Sequence, residues 1–239
     1  MKWWVLLAAL LPVVAVADDR LAAAREALWQ SHGAQTVWKF TMDRLELAEQ
    51  DGERSADLDA QLYIGGDIRK FRLETEAHYS TAEHELESLD FDALYSHAIH
   101  PFWDATAGLR WDQQADQVSG AVGLMGTAPY WVEMDATLYV SERGDVSAEI
   151  EAEYELRLTQ RLVLQPRVEA SVGASADKEA NAGEGLRELH AGLRLRFEIL
   201  PEFGPYLGLE WRGLFGGTAD LNPHESDGWS AVIGIRFWM

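Results

Sequence analysis

The chain contains no cysteine. That excludes a disulfide scaffold, a thiolate metal site, a Cys nucleophile and a lipid anchor on an N-terminal Cys. Bases are scarce as well: Lys and Arg number 20 against 40 Asp and Glu in 239 residues, a formal net charge of −20. A surface this acidic does not suit nucleic acid, whose binding needs basic groups to displace counterions. After the first residues, no run approaches the roughly 18 consecutive apolar residues of a membrane-spanning helix. Catalytic signatures are absent too, with no Gly-x-Ser-x-Gly elbow and no His-Glu-x-x-His pair. A non-enzymatic protein is expected.

What is present points to a folded chain. Hydrophobic residues make up 47% and charged residues 25%, a folding composition. Trp numbers 10, ahead of Phe at 8 and Tyr at 7, and Trp collects where one end of a ring is wet and the other oily. Residues 1–17, MKWWVLLAALLPVVAVA, have the three parts of an export signal: Lys2, an apolar stretch, and a small-x-small site at Ala15-Val16-Ala17. The mature chain is expected to start near Asp18, with a short periplasmic helix over 18–35.

From residue 36 onward the period is two. Val146, Ala148, Ile150, Ala152, Tyr154, Leu156 and Leu158 share one face. Ser147, Glu149, Glu151, Glu153, Glu155 and Arg157 share the other, which is strand alternation. The same reading predicts twelve strands, near 36–47, 56–64, 68–79, 88–97, 102–113, 118–126, 130–141, 146–158, 162–174, 187–199, 205–215 and 228–239.

Short turns follow the even strands, at 65–67, 100–101, 128–129, 159–161 and 201–204. Longer polar loops are expected after the odd ones, at 49–55, 80–87, 113–117, 142–145, 175–186 and 216–227. This is the plan of an all-β, closed antiparallel transmembrane barrel occupying 36–239, with both termini periplasmic. Tyr63, Phe102, Trp103, Tyr130, Trp131, Phe203, Tyr206, Phe237 and Trp238 lie beside the short turns, where an interfacial girdle belongs. The competing arrangement is a secreted, water-soluble barrel or sandwich with its apolar face inward. Period two is the same for both; the heavy charge on one face and the Trp, Leu, Ile and Val on the other favour the membrane.

Several segments resemble the copper resistance protein B family of bacterial outer membranes. The resemblance is densest over 127–170 and continues in 94–112 and 185–211, on the motifs APYW, GDVSA, LTQRLVLQPR and FGPYLG. It implies an outer-membrane barrel in copper tolerance that binds or passes copper, acting alongside a periplasmic multicopper oxidase. The chain departs from the family in one region. Members usually carry a Met- and His-rich segment before the barrel, whereas 18–35 has one His, His32, and no Met. Copper(I) prefers sulfur ligands, so Cu(II) is the expected species here. The chain also ends Phe237-Trp238-Met239, one residue past the terminal aromatic common in such barrels.

Without that resemblance, the residues themselves point to the lumen. Taking 159–161 and Arg143 as hairpin centres, Glu153 should stand opposite Arg167, Asp135 opposite Glu151, and Glu133 opposite Glu153. Glu133, Asp135, Glu149, Glu151 and Glu153 then form an acidic patch, with Arg167, Arg194 and Arg196 on the next strands. Like charges directly opposed repel. The patch either attracts cations or is part of a charge ladder that fills the barrel. His78 and His190 are expected in the lumen. His97 and His100, three residues apart at a turn, are candidates for a small Cu(II) site. The alternative function is a small diffusion channel or structural barrel with no metal preference.

Overall fold

In a computed structural model the chain is described over 36–50, 52–81, 84–176, 182–221 and 227–239, together with Ala23, Ala24 and Ala27, which are helical. The expected leader and most of the expected 18–35 helix lie outside the described residues, as do His32 and His224. Thirteen strands follow in order: β1 (Val37–Gln50), β2 (Glu53–Gly65), β3 (Arg69–Ser80), β4 (Glu85–His100), β5 (Trp103–Asp112), β6 (Gln117–Ala128), β7 (Val132–Ser141), β8 (Val146–Tyr154), β9 (Leu156–Arg157), β10 (Leu162–Gly173), β11 (Gly185–Phe197), β12 (Phe203–Leu214) and β13 (Gly228–Trp238). β8 and β9 are one stave broken at Glu155, and both pair with β10. The result is twelve staves, each antiparallel to its neighbours. Pairing of β1 with β13, from Thr41↔Trp238 to Glu49↔Ala231, closes the barrel and leaves no edge. Among the described residues no helix is long and apolar enough to cross a membrane.

Burial settles which face is inside. Ile150 on β8, Leu207 on β12 and Ile233 on β13 are 45%, 63% and 63% exposed. Glu46, Arg194 and Ser96 are 3%, 3% and 0% exposed. A water-soluble barrel would show the reverse. The aliphatic face therefore points out toward lipid, and the charged face fills the lumen. The buried apolar cluster is small and also lies inside, formed by Leu94, Ala121 and Tyr139.

Three expectations need correction. Two of the anticipated long loops, 49–55 and 80–87, are tight, because the strands run on: β1 reaches Gln50 and β2 already starts at Glu53, and β3 reaches Ser80 with β4 starting at Glu85. Where a hairpin projects into water both faces are wet, so polar residues do not stop the ladder. The β10–β11 and β12–β13 hairpins keep long connections, over 174–184 and 215–227; the second carries a short helix, Gly216–Leu221. The aromatic girdle is also thinner than expected. Phe102, Tyr130 and Trp131 are exposed at the short-turn rim. Tyr206, by contrast, is buried in the lumen, where its hydroxyl donates to Glu46 at 2.9 Å.

The turn before β7 departs from the expected strand start at 130. Pro129–Trp131 form a 3-10 turn. Tyr130 and Trp131 have φ of 68° and 65°, a left-handed conformation that bulky residues rarely adopt.

Candidate functional site

The ladder between β7 and β8 has the register that hairpin arithmetic predicts. Glu133 pairs with Glu153, and Asp135 with Glu151. On the far side of β8, Arg167 pairs with Glu153 and Glu169 with Glu151. All line one cavity of about 580 Å³, which Glu149 and Arg194 also line. Pro101, Phe102 and Thr127 place its mouth at the short-turn rim. Its deep end is at the level of Arg110, Tyr139 and Glu169.

Arginines divide the acidic patch. Glu149 accepts two bonds of 2.8 Å from Arg110 on β5. Glu151 accepts from Arg167 at 2.6 and 2.8 Å, and Arg167 also holds Glu169 at 2.9 Å. Asp135 accepts from the Thr137 hydroxyl at 2.8 Å. Among the described residues, no ion pair from Lys or Arg reaches Glu133, Asp135 or Glu153. The patch is therefore two paired acids and three without a basic partner. The other two expected bases are also taken: Arg194 holds Glu46 at 2.7 Å and Glu210, and Arg196 holds Glu155 at 2.6 Å and Gln165 at 2.7 Å.

The described histidines do not come together. His78 Nδ1 contacts Asp57, and its Nε2 lies 3.1 Å from Glu87. His190 has Glu188 at 2.6 Å on Nε2 and Glu210 at 3.2 Å on Nδ1. Each ring thus has a carboxylate on both nitrogens and serves as a link between staves in the long-loop third of the barrel. Ser96 is buried in the lumen and its hydroxyl donates to Asp104 at 3.0 Å, so alternation turns His97 outward. His100 is exposed, and its Nδ1 accepts from the Phe102 amide at 3.4 Å. Among the described residues no group of three or more His, Asp or Glu is arranged to hold a metal ion.

The sequence reading missed a set of lumen groups on β1 and its neighbours. Asp43 and Arg44 are adjacent yet both line the cavity, because β1 shifts register between Met42 and Arg44. Two polar neighbours interrupting an alternating strand are the signature of a bulge, and that signal was available. Arg236 on β13 then reaches Asp43 at 2.9 Å and Glu155 at 2.9 Å, and Arg44 lies 3.2 Å from Asp59. Met125 joins these groups, lining the cavity directly opposite both Asp104 and Asp135 in the ladder.

Residues 36–239, the whole barrel, match the family model of the copper resistance protein B precursor. The chain belongs to the copper resistance protein B family. It is 33% identical to a copper resistance protein B homolog of Pseudomonas syringae pv. tomato, covering 95% of this chain and 79% of that protein. It is also 33% identical to copper resistance protein B of Escherichia coli, covering 95% and 78%. Among solved structures, the NanC porin is similar with a TM-score of 0.53 at 11% identity, over 84% of this chain and 99% of that one. That likeness concerns the fold alone. A family member built as a closed barrel with an aliphatic exterior resides in the Gram-negative outer membrane, in contact with its lipid. Its relatives support a role in copper resistance.

Proposed function

We propose that the lumen admits copper as a cation from the periplasm and holds or passes it at the outer membrane, without catalysis. The observation that carries this reading is the trio Glu133, Asp135 and Glu153, which face the cavity with no Lys or Arg partner among the described residues. Carboxylates without a paired base in a cleft focus negative potential and concentrate cations. Carboxylate and imidazole suit Cu(II); a lumen dominated by oxygen donors is a poor store for Cu(I). Copper is cargo here, carried by groups that exchange it.

The short-turn rim is read as periplasmic, following the usual asymmetry of outer-membrane barrels. The mouth of the cavity then opens to the periplasm, where a multicopper oxidase would act on the same pool. Residues 1–17 serve as the export signal, and 18–35 as a short periplasmic segment.

The test is the double variant Asp135→Asn with Glu153→Gln, which keeps shape and removes two charges that no base neutralises. It should assemble, shift on heating in gels like the parent, and lose Cu(II) binding in calorimetry together with copper tolerance in a deletion strain. Glu151 is a poor choice for this test because Arg167 already occupies it. Unchanged binding and tolerance would instead favour a structural barrel or diffusion channel. The extensive pairing of the remaining lumen acids is the observation on that side.

A further inference from the structure

The cavity stops half-way along the barrel, and its deep end has a specific construction. Arg110 on β5 stands directly opposite Asp92 on β4 and Ser119 on β6. Its guanidinium does not stay at that level. Nε donates to Asp92 at 2.9 Å, while Nη1 crosses β6 and β7 to Glu149 on β8 with two bonds of 2.8 Å. On the way it lies over the Tyr139 ring, with its central carbon 3.9 Å from the centroid. The crossing needs room, and β6 provides it: Ala121 and Gly123 are the small lumen-facing residues beneath the bridge. Leu94 and Ala121 pack with Tyr139 to form an apolar floor.

We propose that Arg110 is the latch that separates the periplasm-side vestibule from the outer half of the lumen, and that an ion crosses only when its bond to Glu149 opens. Planar guanidinium forks bind carboxylates in two-bond geometry and are lightly hydrated, so they hold a dry crossing well. The chemistry of the latch also states what opens it. Asp92 and Glu149 share the single guanidinium of Arg110, which leaves one negative charge in excess. A divalent cation reaching Glu149 from the vestibule can take over that carboxylate and release the guanidinium, with no bare charge left buried. The inference rests on the cation-route reading for its role in copper tolerance, but its structural claim is independent of copper.

The experiment is conductance of the purified barrel in a planar bilayer, paired with thiol labelling. Because the chain has no Cys, Ser119→Cys places a unique thiol beside the latch. The parent should conduct poorly, and a small hydrophilic thiol reagent should label Ser119→Cys slowly. Arg110→Ser should raise conductance and abolish that protection. Glu149→Gln, which leaves Arg110 paired with Asp92, should raise conductance and labelling in the same direction as Arg110→Ser. A folded, heat-modifiable Arg110→Ser barrel with parental conductance and parental labelling overturns the latch. Loss of protection without any copper phenotype in Asp135→Asn/Glu153→Gln would keep the latch and remove the copper route.

Discussion

Arg167 stands directly opposite Glu153 in the β8–β10 ladder, yet its guanidinium is bonded to Glu151, at 2.6 and 2.8 Å. Cross-strand diagonals lie within reach of long side chains, and Glu151 also meets Glu169 head-on across the same pair of strands. By leaning to the diagonal, Arg167 serves two acids at once, Glu151 and Glu169. Glu153 is left to the cavity as a consequence.

The buried part of this network should be costly to break. Arg194 and Glu46 have side chains only 4% and 2% exposed. Arg194→Met should lower unfolding free energy by about 3–5 kcal/mol, since it strands a buried carboxylate. Arg54 and Glu49 are 72% and 56% exposed at a hairpin tip. Arg54→Ala should cost less than about 1 kcal/mol. Urea unfolding in detergent or bilayer, followed by tryptophan fluorescence, separates the two.

Facing is testable by charge insertion. Ile150→Arg and Ile233→Arg put a guanidinium on the lipid side, at a cost of about 2–4 kcal/mol near the midplane. Both should reduce assembled barrel in outer-membrane fractions. Glu133→Arg, in the lumen beside Glu153, should assemble normally. Equal tolerance at the three positions would contradict the assignment of faces.

Orientation can be read with single cysteines in a chain that has none of its own. An impermeant reagent on intact cells should label Glu184→Cys, in the long connection between β10 and β11. Gln160→Cys, at the short turn before β10, should react only after the outer membrane is opened. The opposite pattern would turn the vestibule toward the cell exterior.

The bulge in β1 makes a further prediction. Deleting Met42 removes one residue at the register shift and should return β1 to even alternation, turning one of Asp43 and Arg44 toward lipid. Yield of heat-modifiable barrel should fall sharply, whereas Met42→Leu should leave it unchanged.

Much of this molecule is legible in its alternation. Residues such as Ile150 and Glu151 differ so strongly in polarity that period two fixes strand positions and, with the hairpin centres, the pairing of Glu133 with Glu153. Loop lengths were less legible, because 49–55 reads as polar loop yet continues the β1–β2 ladder in water. Tyr206 was misplaced because an aromatic beside a turn fits the girdle and the lumen equally by composition.

The sequence by itself determined that the chain forms an even-staved antiparallel barrel of neighbouring strands, the registers of β7 with β8 and of β8 with β10, and the two faces of the strands that alternate without a bulge. Those properties follow from local alternation and from turns that join neighbours. Which carboxylate each arginine takes was decided only by the tertiary structure. Closure of β1 on β13 and the curvature of the wall bring Arg110 to Glu149, Arg236 to Glu155 and Arg194 to Glu46 across the lumen. Such contacts depend on side-chain length, on small residues such as Ala121 along the crossing, and on a bulge that sets two neighbours inward. None of these has a period. The acids left over, Glu133, Asp135 and Glu153, are the residue of that allocation, and only the folded barrel defines it.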